Sequence, residues 1–440
     1  MAVTSLVVMS SRAWPAPLAT GPVDAVVRVP GSKSASNRAL ILAAIADGPS
    51  RLEAVLDARD TRLMAQGLAA LGVQVDRIAR PAGDGNVDLV ITPHHLRGPA
   101  QVDVGLAGTV MRFLPPVAAL AFGDIGFDGD AGARERPMAT VIESLRDLGV
   151  EVRDADRGRL PFTVVGRGEV RGGEVTVDAS RSSQFVSGLL LSAARFDTGL
   201  TLHHVGAPIP SMPHIDMTVA MLAEHGVRVV RDGAHVWHID PHTIAPVDRT
   251  IEPDLSNAAP FLAVAMVAGG SVTVPDWPAH TTQPGDALRD LLARMGARVE
   301  RTDAGLRVTG SGAIHGITAD LGEVGELTPT LAALAALADS PSTFTGIAHL
   351  RGHETDRLAA LTTELTRLGC GARELPDGLE ISPAAMTGTT VQTYADHRMA
   401  TFAAVIGLAV PDVLIADVET TSKTLPDFTA RWSALVGDAA

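Results

Sequence analysis

The chain of 440 residues contains a single cysteine, Cys370, which excludes an internal disulfide framework and any multi-cysteine metal site. No apolar run approaches the ~20 residues that a membrane-crossing helix needs. Residues 1–20, MAVTSLVVMSSRAWPAPLAT, have no basic stretch ahead of their short apolar segment, so no signal peptide is expected and a cytoplasmic location is. The 14 histidines show no His-Glu-x-x-His or comparable ligand spacing, so no metal is expected. A Gly-x-Gly-x-x-Gly unit is missing, which argues against a dinucleotide cofactor, and so is a Gly-x-Ser-x-Gly nucleophile elbow. Positive charge is also in deficit. With 36 Lys and Arg against 50 Asp and Glu the net charge is −14, which speaks against a nucleic-acid or membrane surface. Hydrophobic residues at 46% exclude a disordered chain, and the length leaves room for two or three domains.

Against this acidic background one basic segment stands out, VPGSKSASNRALILAAIA, Val29 to Ala46. It resembles a nucleotide phosphate loop only superficially. That motif needs Gly, four residues, then Gly-Lys-Ser/Thr in succession. Here Ser32 separates Gly31 from Lys33, and no glycine lies between Gly21 and Gly31. Two readings survive. In one, Ser34 or Ser36 caps a helix whose free N–H groups attract an anion, with Lys33 and Arg38 beside it. In the other it is a capped surface helix.

The segment has echoes. A polar start followed by an apolar, alanine-rich run recurs at Ser34, Thr109, Ser183, Ser256, Thr328 and His397, at gaps of 69 to 75 residues. In parallel, six amphipathic runs end in glycine, at Gly72, Gly149, Gly226, Gly296, Gly369 and Gly437. Glycine there suits a left-handed helix end, and alternating stretches such as VQVDRI and VRVVRD then predict strands. Two series of six at one period indicate a symmetric architecture of repeats. Three units would close one domain around their inner helices, and six make two domains. The last unit lacks a following strand, which Ala25–Gly31 (AVVRVPG) is expected to supply. The domains would then be discontinuous, residues 1–31 with 253–440 and residues 32–252, with the site in the cleft between them.

Basic and hydroxyl residues concentrate where the repeat helices begin: Lys33, Ser34 and Arg38; Gly108, Thr109 and Arg112; Ser182, Ser183 and Gln184; His397 and Arg398. The second helices start with Arg136, Ser211, Glu354 with Arg357, and Lys423. Each alone reads as a cap or a surface ion pair. Their coincidence across repeats predicts a cationic cleft for a ligand pair with several negative charges. Asp254 and Ser256, at a start without a cation, read as capping residues, and Cys370 as packing.

The segments PGSKSASNRALILAA, AGTVMRF, RERPM, SSQF, HETDRL, DHRMA and KTLPDF, colinear over nearly the whole chain, are similar to those of the 5-enolpyruvylshikimate-3-phosphate synthase family. The resemblance implies an α/β enolpyruvyl transferase fold of two domains, each with three β/α repeats around internal parallel helices, an inside-out α/β barrel. It implies transfer of the enolpyruvyl group of phosphoenolpyruvate to the 5-hydroxyl of shikimate 3-phosphate, with release of phosphate and without metal or organic cofactor. Lys33, Ser34, Arg38, Ser182, Ser183, Gln184, Ser211, Glu326 and His353 would bind shikimate 3-phosphate. Lys33, Gly108, Arg136, Gln184, Arg357, Arg398 and Lys423 would surround phosphoenolpyruvate, where glyphosate competes. Glu326, Glu354 and Lys33 would be the acid–base groups. The expected state is a monomer with no nucleic-acid or membrane partner. Glu326 stands where many relatives carry aspartate, His353 where lysine is usual, His349 and Leu106 where asparagine is, and His214 where tyrosine is. Two rivals are the related UDP-N-acetylglucosamine enolpyruvyl transferase, whose mid-chain reactive cysteine has no match in Cys370, and a non-catalytic polyanion-binding repeat protein, against which Glu326 and Glu354 stand.

Overall fold

A computed structural model describes residues 13–437, apart from 79, 81, 82 and 234. The expectation about a leader rests largely on residues 1–12, which lie outside the described residues.

Six inner helices appear at the six polar starts: Lys33–Ala44, Gly108–Ala119, Gln184–Ala193, Leu255–Ala268, Thr328–Ala336 and His397–Gly407. Their sequences are apolar on all sides beyond the first turn, and such helices are stable only when enclosed. Nearly every residue past the first turn is buried. Six outer helices carry the glycine ends: Arg59–Ala70, Ala139–Asp147, Pro213–Glu224, Leu288–Arg294, Arg357–Leu368 and Phe428–Val436. All six landmark glycines have φ between 79° and 104°, a left-handed backbone that only glycine adopts at little cost.

Around the inner helices lie five four-stranded sheets and one three-stranded sheet. In each four-stranded sheet a parallel pair is followed by two antiparallel strands. Ala100–Asp103 runs parallel to Phe122–Asp128, which pairs antiparallel with Phe162–Arg167, which pairs with Glu151–Arg153. Two hydrophobic cores result among the described residues. One takes residues from Ala39 to Ile251; the other joins Val23 and Val29 to residues from Leu255 to Val436.

Two local expectations are corrected. Ser32, not Ser34 or Ser36, caps the first inner helix, its Oγ accepting from Ala35 N–H; Ser36 lies inside and accepts from Leu56 N–H at 3.2 Å. The stretch before Gly31 does not complete the last unit either. Val23–Val26 pairs in parallel with Gly270–Val274 of the fourth unit, while Trp14–Pro15 pairs with Leu414–Ile415 of the sixth. Arg249–Thr250 likewise completes the first unit against Ser50–Leu56. Between these exchanged strands the two connecting segments lie side by side: Gly31 bridges Pro253, Ser32 N–H donates to the Glu252 carbonyl at 2.8 Å, and Asp254 N–H donates to that of Pro30 at 2.8 Å. Gly31 is required there, since a Cβ would stand 2.1 Å from the Ala54 carbonyl oxygen.

Candidate active site

The inner helices point their N-termini at one cleft. Its inner half is lined by Lys33, Ser34, Arg38, Ser182, Ser183, Gln184, Ser211, Glu326, His353 and Arg398, and includes Thr109, Ser256 and Asn257 from further helix starts. Its outer half shares Lys33, Ser182, Gln184, Glu326 and His353 and adds Gly108, Arg136 and Glu354. The first turns aim free N–H groups and positive dipole ends at the same space. The walls touch where Ser211 N–H donates to the Gly322 carbonyl at 3.0 Å.

On the wall built from the second core, cations and carboxylates are interlocked. Glu326 is ion-paired with Arg398, whose Nε lies 2.5 Å away without hydrogen-bond geometry, and receives Arg357 Nη1 at 3.3 Å. Glu354 receives Lys423 Nζ at 2.6 Å and Arg357 Nη2 at 3.0 Å. Arg357 is completely buried and also holds Asp396 by Nε at 2.7 Å and Nη2 at 3.2 Å. Asp396 caps the last inner helix by accepting from Arg398 N–H. Burial favours protonation of Glu326, but Arg398 and Arg357 outweigh it and hold the carboxyl well below its usual range. Glu354 is held down in the same way, against burial, by Lys423 and Arg357. Of the expected contacts, Arg357 and Lys423 therefore stand behind the two glutamates rather than on the cavity surface.

The opposite wall differs. Arg112 donates Nη1 to Gln184 Oε1 at 2.8 Å, and Arg136 donates Nη1 to the Leu106 carbonyl at 3.3 Å. Among the described residues neither has a carboxylate within 4 Å. Their buried Nε atoms have no partner, nor does His214 Nδ1, and across the cleft His349 Nε2 is unpartnered too; such groups suit a polar ligand. Arg38 is buried over Phe113 and spends its donors on Thr218 Oγ1 at 2.7 Å and the carbonyls of Ser34 and His214 at 3.0 and 2.9 Å. Burial lowers its pKa to about 9. Lys33 Nζ lies 3.4 Å from the buried Asp60. Burial works against the Lys33 ammonium, but Asp60, Glu354 and Glu326 prevail and raise its pKa.

The replaced positions fall into place unevenly. His353 lines both halves, and Arg357 Nη1 lies 3.1 Å from its Nδ1, which must then accept. Burial and Arg357 push its pKa to about 3, and burial and Arg38 push that of His214 to about 4. His349 lies beside His353 with ring centres 5.6 Å apart and planes tilted by 59°. Leu106 offers the cleft no side chain; only its carbonyl meets Arg136.

Sequence reasoning missed Asp60, Asp396 and Arg181 as site residues. A signal was present for two of the cations it did find: the chain has two lysines, Lys33 and Lys423, and both are here. Among the described residues no group of three or more His, Cys, Asp or Glu is placed to hold a metal, and no helix is long and apolar enough to cross a membrane.

Known proteins resemble this chain over nearly its full length. The family model of EPSP synthase (3-phosphoshikimate 1-carboxyvinyltransferase) matches residues 18–432. A 3-phosphoshikimate 1-carboxyvinyltransferase of Kocuria rhizophila is 53% identical over 431 residues, 96% of each chain. Two solved structures of EPSP synthase from Acinetobacter baumannii superpose with a TM-score of 0.77 at 24% identity, over 95% of this chain and 97% of theirs, and share its two-domain inside-out α/β fold.

Proposed function

This chain belongs to the EPSP synthase (3-phosphoshikimate 1-carboxyvinyltransferase) family, and from that premise we propose that it moves the 1-carboxyvinyl group of phosphoenolpyruvate to the 5-hydroxyl of shikimate 3-phosphate. The observation that carries the reading is the 53% identity to the Kocuria enzyme over 96% of both chains. In the cell this is a step of the shikimate pathway toward chorismate and the aromatic amino acids. The enzyme works as a cytoplasmic monomer without metal or organic cofactor, and glyphosate competes for the donor's place. Its two cores are two domains, residues 1–31 with 253–440 and residues 32–252.

Ser34, Ser182, Ser183, Ser211 and Gln184 supply hydroxyl and amide groups for shikimate 3-phosphate, with Arg38 holding that wall in shape. Arg136, Lys33, Arg357, Arg398 and Lys423 receive the phosphate and carboxylate of the donor, with Gly108 leaving room beside Arg136. Arginine forks fit such oxygens, and lysines act as point charges. Since Glu326 and Glu354 occupy Arg357, Arg398 and Lys423, the donor's anions must displace them. The exchange removes the cations that keep both carboxyls acidic, and their basicity rises where a proton must move. Glu326 then takes the 5-hydroxyl proton as the oxygen adds to C2 of the donor. The Lys33 ammonium delivers a proton to C3, giving a tetrahedral adduct with a methyl group. Glu354, released from Lys423, takes a proton from that methyl group as phosphate leaves C2, which completes the transfer.

The test is phosphate release from phosphoenolpyruvate in the presence and absence of shikimate 3-phosphate, after exhaustive chelation. Release that depends on both substrates and survives chelation is expected. Absence of release contradicts the proposed reaction, and restoration only by a divalent ion contradicts the cofactor-free part.

A further inference from the structure

Arg181 takes no part in the scheme above, yet it lines the cleft throughout. It lies in the Ser180–Ser183 segment that enters inner helix Gln184–Ala193, and it lines both the inner and the outer half of the cavity. Its side chain is exposed, and among the described residues no carboxylate stands within 4 Å of it. It reaches toward the other wall: a Cβ placed on Gly352 would lie 3.8 Å from its Nη2. Burial, Arg136 and Arg181 together depress the pKa of Arg112, a sign of how closely these charges crowd. Three arginines without acidic partners repel one another in the free protein, and an anion among them relieves that repulsion.

Among the described residues the facing wall offers no free cation at the same place, since Arg351 there is paired with Asp356 and Glu374. His353 lines the same two halves, but its Nδ1 accepts from Arg357, and Glu326, Glu354 and His349 complete its surroundings. Its neutral ring therefore brings no charge to the cavity. Ser182, Ser183 and Ser211, the hydroxyls assigned above to shikimate 3-phosphate, line the inner half with Arg181.

Building on the proposed function, we propose that Arg181 is a specificity-determining residue: its guanidinium binds the 3-phosphate of shikimate 3-phosphate beside those serines and supplies the charge that His353 does not. A planar fork at an exposed lip can take two phosphate oxygens while the acceptor enters. The contribution then depends on the phosphate and not on the shikimate ring.

Binding of shikimate 3-phosphate and of shikimate, which lacks the phosphate, to the parent enzyme, Arg181→Gln and Arg181→Lys tests this by calorimetry, with KM for each substrate measured alongside. Loss of one charge-assisted contact weakens affinity by ~10-fold or more. Arg181→Gln is expected to lose that factor for shikimate 3-phosphate, to leave shikimate binding and the KM for phosphoenolpyruvate within ~2-fold, and to keep its melting temperature. Arg181→Lys should recover part of the loss. Equal weakening of both ligands, or of neither, overturns the phosphate contact while leaving the proposed reaction standing. A parent enzyme that does not turn over shikimate 3-phosphate contradicts the reaction itself and the contact with it.

Discussion

The two walls of the cleft carry the same kind of residue in opposite electrostatic states. Arg112, Arg136 and Arg181 have no acidic partner among the described residues, Arg38 is satisfied by neutral groups, and Lys33 is the cation of that wall that pairs with a carboxylate, Asp60 at 3.4 Å. Across from them Arg357, Arg398 and Lys423 are each held by Glu326, Glu354 or both. A bare wall is ready to receive an anion and gains from doing so. In the proposed mechanism the neutralised wall gives up its own carboxylates to the donor's anions, and a displaced carboxylate becomes a base. On that proposal the pairing of its cations separates capture from chemistry within one site.

That contrast can be broken at several points, starting with the largest effect. Glu326→Gln and Glu354→Gln should each reduce turnover by ~10²–10⁴-fold, the usual contribution of a general acid or base, while shikimate 3-phosphate still binds. Turnover near that of the parent would remove the residue from the mechanism.

Next comes stability, where the walls should answer with different signs. Arg357→Met strands Asp396 and loosens both glutamates in a buried place, and urea unfolding should record a loss of ~3–5 kcal/mol. Arg112→Met removes a buried cation with no acidic partner and should leave stability within ~1 kcal/mol or raise it. Similar losses in the two variants would erase the distinction between the walls.

Acid should act mainly on the neutral histidines of the free protein. Their pKa values are lowered in the folded state, His353 to about 3 and His214 to about 4, from an ordinary 6.5. Their contribution to stability is present above 6.5 and is lost as pH falls toward those values, at roughly 2 kcal/mol per group between pH 7.5 and 5. The two carboxyls add to the loss below their ordinary 4.5. Urea midpoints across pH should therefore drop on acidification, and less steeply in His353→Asn. A flat profile in the parent would show that the histidines are not held neutral.

The smallest change is steric. A Cβ on Gly108 would lie 2.8 Å from Arg112 Nη1 and 3.2 Å from both Arg136 Nη2 and Gln184 Oε1. These are ends of flexible side chains, so the fold can adjust while the donor's place narrows. Gly108→Ala should weaken glyphosate more than it raises the KM for phosphoenolpyruvate, because the inhibitor is longer. Equal proportional changes in the inhibition constant and the KM would refute selective crowding.

How much of this was legible in the sequence follows from the range of each interaction. The glycine helix ends are local backbone requirements, so Gly72 through Gly437 could be read directly. The inner helices announced themselves by apolarity on every side. Strand partners could not be read: Val23–Val26 alternates equally well for the fourth unit as for the sixth, and only the assembled sheet decides. Ser32 outcompeted Ser34 as cap because the helix starts at Lys33, two residues earlier than a Ser34 cap would set it. In the site, motif resemblance picked out the cations, but not who neutralises them. Asp60 beside Lys33 and Asp396 beside Arg357 are products of packing between distant segments. Arg181 follows no repeat landmark, and its meaning emerges only from the two cavity halves that it joins.

The central claim, that the donor's anions take over the cations of Glu326 and Glu354, is most directly tested by carboxyl titration. Protein labelled with ¹³C in its glutamate carboxyls, with Glu326→Gln and Glu354→Gln to assign the two signals, can be followed against pH alone and with shikimate 3-phosphate plus inorganic phosphate. Both carboxyls should titrate well below 4.5 in the free enzyme and move upward in the complex. Midpoints that stay equally low in the complex would mean that the glutamates keep their cations, and would contradict the exchange on which the proposed mechanism rests.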